Sequence, residues 1–389
     1  MPHYHKLGEI PRVKHTTFYK PDGKSLYREE LVSSKGFSGV YSTKYHFHLP
    51  TKILRVNELQ LHKDVNWPEA PILYYHCFTD KLQTPGDFIR SRNVFLENEH
   101  CVMSTAQINS DTDDFYRNAY GSEYIFVHHG SGVFKSDYGE IPFVSGDQFI
   151  VPRAVTHQFK FDDYNANNKL LIVESDTAYE IPRHYMCDYG QLSENAPYAE
   201  RDFKLPENLQ PVDESGEFRI IVKMGKRYFE HIMPHHPYGV VGWDGYLYPY
   251  AFNIKDYHPK VGRIHLPPPV HLAFTTQHFI LCNFVPRLFD FYPGAIPAPY
   301  FHSNIDSDEV LYYVEGDFMS RTGVEEGSIT LHPGGMPHGP QPGKTESSVG
   351  AKETKEYAVM VDTFAPLRVT TNVRDTLDKD YAKSWLSGD

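Results

Sequence analysis

The feature that most constrains this chain is that its apolar residues come in short runs, each cut off by Gly, Pro or Asp before it reaches helical length. YIFVHHG, GDQFIVP, KLLIVES, RIIVKM, HFILCNFV, EVLYYVEG, SITLHPG and EYAVMVDTF are apolar throughout or alternate in twos. Such runs, rich in β-branched and aromatic side chains and bounded by turn formers, predict strands buried on one or both faces. Recurring along the whole chain, they predict an all-β sandwich or barrel. One helix is expected near the C-terminus, from about Arg374 to Leu386, where Asp375, Asp378 and Asp380 precede a Tyr381/Trp385 pair at i, i+4.

The 389 residues are 40% hydrophobic and 23% charged, enough to bury a large core in two or three domains. Lys and Arg number 38 against 50 Asp and Glu, a net charge of -12 that argues against a nucleic-acid footprint or a polybasic membrane patch. The four cysteines (Cys77, Cys101, Cys187, Cys282) form no CxxC pair, so a zinc knuckle is excluded and a reducing, cytosolic setting is expected. The first residues, MPHYHKLGEIPRVKH, hold no apolar core of a signal peptide, and no stretch has the ~18 apolar residues of a membrane span. With 22 histidines and no clustered thiols, a bound metal would be held by imidazole and carboxylate.

A repeat organises the chain. EVLYYVEG (309–316) over EYIFVHHG (123–130) sets a Glu and a Gly seven residues apart in both copies, and GSITLHPGGMPH (327–338) over GDQFIVPRAVTH (146–157) sets a Gly and a His eleven apart. The expected unit is a strand carrying Glu, a Gly-marked turn, a second Gly-led strand and a His after a Pro-containing bend. That order resembles the two motifs of the cupin jelly roll, which makes the chain similar to a bicupin: an N-terminal β-rich domain over 1–262 and a C-terminal cupin over 263–389. The Pro-rich segments 265–271 and 293–299 are the expected connectors into the last unit, and 193–218 a long polar connection within the middle.

In the second copy His302 stands seven residues before Glu309, and His338 follows in MPHGP. Two imidazoles and one carboxylate are a ligand set for non-haem Fe(II), bound on one face so that positions stay open for substrate and dioxygen. Asp306 and Asp308 lie close by, and Asp308 is the alternative to Glu309; only Glu309 keeps the repeat's register to Gly316. The first copy keeps Glu123 and His157 but has Tyr116 and Arg117 where the histidine should be. It is expected to hold no metal, with Glu123 and His157 paired to neighbours such as Arg117 or Arg153.

RIHLPPPVH, NFVPR, APYFHSN, the Glu-to-Gly strand and MPHGP resemble the homogentisate 1,2-dioxygenase family, and the similarity extends over essentially the whole chain. The resemblance implies iron held by His302, Glu309 and His338, with His302 and Glu309 one residue further apart than in the animal-type enzymes. It implies an acid/base histidine just upstream of the cupin, for which His265 and His271 are the candidates; His265 fits the family's His-then-Pro order better. Asn304 matches an Asn that follows the ligand histidine and could bond a substrate oxygen. Phe318 stands where the family has a substrate-contacting Tyr, so recognition of the acid or phenol would fall to Tyr312, Tyr300 or Arg287.

The activity implied is opening of homogentisate (2,5-dihydroxyphenylacetate) with dioxygen to 4-maleylacetoacetate, in a homo-oligomer of trimers or hexamers. The aromatic residues Phe289, Phe291, Tyr292, Tyr300, Phe301, Tyr312 and Tyr313 would supply a pocket lining. The competing readings are an iron cupin opening gentisate or another hydroquinone-type acid, which the Phe318 change favours, and a metal-free binding bicupin, which the intact ligand set opposes.

Overall fold

Strand burial patterns decide how the sheets stack. Gly132–Ser136 and Gly139–Phe143 alternate buried and half-buried or exposed residues, whereas Ser122–His129 and Asn168–Ser175 are buried almost throughout. The first pair covers one face of a core, and the second pair is enclosed on both faces. The computed structural model describes residues 3–35, 38–62, 65–266 and 268–386, and its regular structure is almost all strand.

The first unit packs a seven-stranded sheet, centred on His157–Phe161, Phe115–Asn118 and Ser215–Met224, against an eight-stranded sheet centred on Asp147–Val151, Ser122–His129, Asn168–Ser175 and Cys101–Ile108. Rings such as Phe134, Phe149 and Phe159 interlock between them, with centroids 5.1–5.2 Å apart. The second unit is built on a six-stranded sheet in the order Leu272–Thr275, Phe279–Phe284, Tyr357–Thr363, Asp308–Glu315, Ser328–His332, Tyr75–Phe78. The fold is all-β and duplicated, as the strand runs predicted.

The two units share one hydrophobic core, which runs from Phe126 and Phe134 through to Tyr312 and Val361. They also exchange strands. Tyr75–Phe78, from early in the chain, edges the C-terminal sheet beside Ser328–His332, and Arg368–Val369 edges the eight-stranded sheet beside Arg92–Glu97.

The repeat is geometric as well as sequential. Gly130 and Gly316, which end the Glu-bearing strands, have φ of +115° and +116°, and Gly146 and Gly327 both lie at positive φ. Each pair is the same turn built twice, at an angle that residues with a Cβ rarely adopt.

Two expectations are corrected. The C-terminal stretch is not one helix: Thr371–Thr376 is helical, and a separate 3₁₀ segment spans Tyr381–Leu386. Between them the backbone is drawn onto the sheet edge, where Asp378 N donates to His76 O at 2.8 Å, and the Asp378 side chain accepts from Asp380 N. These bonds replace helical ones. Nor is 193–218 merely a polar connection. It buries Ala196, Tyr198 and Phe203, and Tyr198 OH donates to Ala273 O at 2.7 Å in the second unit.

Burial holds several histidines neutral: His157, His128 and His62 have pKa pushed down to about 4, about 3 and about 4. Each would bind a proton near ~6.5 in the unfolded chain. Between those limits the unfolded state carries more protons than the folded one, so stability is lost as pH falls from ~6.5 toward ~4. Thermal melts should show the midpoint dropping steadily over that range, and His128→Gln should flatten the slope. A flat profile in the parent protein would contradict the burial assigned to these rings.

Candidate metal centre

Register places the carboxylate. Asp308–Glu315 pairs with Ser328–His332 on one side and Tyr357–Thr363 on the other, setting Glu309 opposite both His332 and Asp362. His302 and His338 lie outside the strands, and each backbone N–H donates to the other's carbonyl at 2.8 Å. This clasp brings together two residues 36 positions apart. It closes because residue 339 is glycine: a Cβ there would lie 2.6 Å from Phe301 Cδ1.

Each imidazole directs Nδ1 at the carbonyl two residues before it, His302 at Tyr300 O (3.3 Å) and His338 at Met336 O (3.0 Å). With Nδ1 donating, both Nε2 atoms face Glu309 Oε2, each at 3.3 Å. His338 Nε2 is buried with no hydrogen-bond partner. A spacing of 3.3 Å suits ligands that each sit about 2.1 Å from one ion. The donor set of two neutral nitrogens and one carboxylate oxygen fits Fe(II).

The electrostatics agree. Burial opposes ionisation of Glu309, but the three imidazoles facing it, His302, His332 and His338, outweigh it and hold its pKa well below the usual carboxylate range. The Glu309 carboxylate in turn raises the pKa of His302, because it favours the protonated ring. A positive charge is favoured at this point, whether a proton or a metal ion supplies it.

Asp308 is not a ligand here: its two oxygens accept from Gly334 N and Leu367 N, both at 2.7 Å. Asp306 is exposed.

Sequence reasoning passed over two residues. His332 directs Nδ1 at Glu309 Oε1 (2.9 Å) and Nε2 at Tyr381 OH (3.0 Å). Burial pushes its pKa down to about 4, so the ring is neutral, donates to Glu309 and leaves Oε2 to face the other imidazoles. Asp362, on the neighbouring strand, has its pKa pushed up to about 8 by burial first and then by Glu309. Both lie directly across from Glu309 on neighbouring strands, so only the register reveals them.

The other predicted site residues divide. Asn304 stands by His302 with its Nδ2 buried and unpartnered. His265 is exposed, its Nδ1 3.0 Å from Asp290 Oδ2, and its ring reaches His302 by way of Tyr300, with centroids 5.4 and 6.1 Å apart. His271 is buried against Phe284, and burial, then Arg287, push its pKa down to about 3. Phe318 packs edge-on against Tyr313 at 4.6 Å.

Tyr312 is a correction: it points away from the centre. Three positions from Glu309, it falls on the opposite strand face, where its hydroxyl lies 2.6 Å from His128 Nδ1 in the first unit. The aromatic lining is also corrected in part, since Phe291, Tyr292, Tyr300 and Phe301 are exposed.

The first unit repeats this geometry with other residues at the equivalent positions. His157 pairs with Tyr116 in register, as His338 pairs with His302, and His157 directs Nδ1 at Val155 O, again two residues back. Tyr116 thus takes the place of His302, Val151 that of His332 and Glu174 that of Asp362. The cation beside Glu123 is Arg92, whose Nη1 donates to Glu123 Oε1 at 2.6 Å with Tyr116 OH 3.2 Å away. The expected partners were Arg117 and Arg153, but these go to Thr156 Oγ1 and Asp176 O.

The homogentisate 1,2-dioxygenase N-terminal family matches residues 92–254, and the homogentisate 1,2-dioxygenase C-terminal family matches residues 274–388. A Saccharolobus solfataricus protein named "Putative dioxygenase" is 39% identical over 99% of both chains. A Bradyrhizobium diazoefficiens homogentisate 1,2-dioxygenase is 27% identical over 71% of this chain and 63% of its own length, so the match spans less than two thirds of that relative. Among solved structures, a cupin 2 conserved barrel domain protein from Leptotrichia buccalis is 9% identical over 75% of this chain and 96% of its own, with a TM-score of 0.34.

His302→Ala or His338→Ala should abolish stoichiometric iron binding, measured by elemental analysis, while far-UV circular dichroism stays unchanged; His157→Ala should leave iron content as it was. Arg92→Met removes the ion-pair partner of the buried Glu123 and should cost roughly 3–5 kcal/mol in urea unfolding.

Proposed function

The chain belongs to the homogentisate 1,2-dioxygenase family, and we propose that it is an Fe(II)-dependent dioxygenase that opens the ring of homogentisate to 4-maleylacetoacetate. The single observation that carries this reading is the convergence of His302 Nε2, His338 Nε2 and Glu309 Oε2 within 4.8 Å of one another, with His338 Nε2 unpartnered. Iron held there would supply the one-electron chemistry that lets dioxygen react with an aromatic ring.

The chain's own groups handle position and protons. Asp290 orients His265 through Nδ1 and leaves Nε2 to take the phenolic proton of the substrate. His265 suits that task better than His271, whose buried ring resists protonation. Asn304 Nδ2 is a donor awaiting an acceptor, which a substrate oxygen provides. Arg287 offers a second unpartnered donor, Nη1, in keeping with an acidic substrate. His332 and Tyr381 keep the Glu309 carboxylate from turning.

Phe318 is the observation that favours a second substrate. It presents no hydroxyl beside Tyr313, and gentisate, with its carboxylate directly on the ring, needs less reach than an acetate arm. Self-association as a homo-oligomer is part of the proposal, supported by the exposed apolar side chains of Phe291, Ile296, Phe301 and Ile305. Cytosolic residence is supported by four cysteines that form no disulfide. Among the described residues no helix is long and apolar enough to cross a membrane.

Oxygen uptake by the iron-loaded protein decides between the substrates: homogentisate is expected to be consumed with one dioxygen per ring, and gentisate much more slowly. Preference for gentisate would replace the substrate but keep the reaction class; no uptake with either would sink the enzyme reading. His265→Ala should lower kcat by about 10²-fold or more at unchanged iron content.

A further inference from the structure

A second cluster with the chemistry of a metal site lies apart from the cupin centre. His100 sits in the turn between Arg92–Glu97 and Cys101–Ile108, Asp176 directly follows Asn168–Ser175, and His278 sits in the turn between Leu272–Thr275 and Phe279–Phe284. The first two belong to the eight-stranded sheet and the third to the six-stranded sheet. We propose that His100, Asp176 and His278 form a divalent-cation site, for zinc or an ion of similar preference, that clips the two β-units together.

The three side chains are already gathered around one carboxylate. The two imidazoles stack 10° from coplanar with centroids 3.6 Å apart, so one ring must turn for both in-plane lone pairs to meet one ion. His100 Nδ1 is 2.7 Å from Asp176 Oδ2, and His278 Nε2 is 3.9 Å from Asp176 Oδ1. One ligand atom from each residue falls within 4.8 Å of the others. Asp176 Oδ1 is buried and has no hydrogen-bond partner. An oxygen of that kind is costly unless a cation or donor meets it.

Backbone bonds hold the turns in place. Asp176 N donates to His100 O at 3.2 Å, and Phe364 N to His278 O at 2.9 Å. Gln277 N, beside His278, donates to Thr177 Oγ1 at 3.2 Å across the two units. Both histidine side chains are about a third exposed, so an ion can reach them and water can complete its shell. Two nitrogens and one oxygen with an open fourth position suit Zn²⁺.

The other His-rich cluster, His128, His129 and Glu326, is different in kind. His128 meets Tyr312 OH with one nitrogen and Val314 O with the other, so its hydrogen bonding is complete without an ion.

Iron-loaded protein dialysed against micromolar zinc chloride, with both metals counted by elemental analysis, is expected to hold one zinc per chain beside its iron and to melt at a higher temperature. His278→Ala and His100→Ala should each weaken zinc uptake at least about tenfold, leaving iron content and oxygen uptake unchanged. His129→Ala should leave zinc uptake unaltered. The proposal is overturned if the parent protein takes up no zinc, takes it up only in exchange for iron, keeps it in His278→Ala, or loses it in His129→Ala.

Discussion

A carboxylate buried at the head of a strand must be met by positive charge, and much of this molecule follows from meeting that requirement twice. Glu123 and Glu309 occupy equivalent places, both almost inaccessible to water. In the first unit Arg92 answers the charge from within the chain, and Tyr116 closes the hydrogen bonding around it. In the second unit three imidazoles crowd one carboxylate. An arginine fills its site permanently, whereas imidazoles leave a position that a metal ion can take and share with a substrate.

The acids one strand over complete the contrast. Glu174 is held by Lys223 and lies near Arg92, so the first unit carries as many fixed cations as it needs. Among the described residues Asp362 has no such partner, and burial, then Glu309, raises its pKa. The first unit thus buries its two acids against cations carried on other strands. The second unit stays chemically open because, among the described residues, only imidazoles meet Glu309.

Neither unit stands alone. Strand exchange puts Tyr75–Phe78 beside Ser328–His332, and the same edge carries His76, which anchors the C-terminal segment through Asp378. Tyr381 and Trp385 in that segment in turn reach His332 and Gly339 beside the metal centre. The geometry around Glu309 thus depends on residues from both ends of the chain, and the shared core under Tyr312 makes the first unit a support for the second.

The sequence by itself determined the β class, the duplication, and the trio His302, Glu309 and His338. Run length, turn residues and motif spacing are local properties, and the repeat shows which unit lacks a histidine equivalent to His302. Only the tertiary structure decided which neighbours complete the site. Arg92 replaced Arg117 and Arg153 as the partner of Glu123, His332 and Asp362 joined Glu309, and Tyr312 turned toward His128. Register between strands distant in sequence determines these pairings. The C-terminal segment broke into two pieces for a related reason: hydrogen bonds to a sheet edge that forms only on folding outcompeted a weak helical preference.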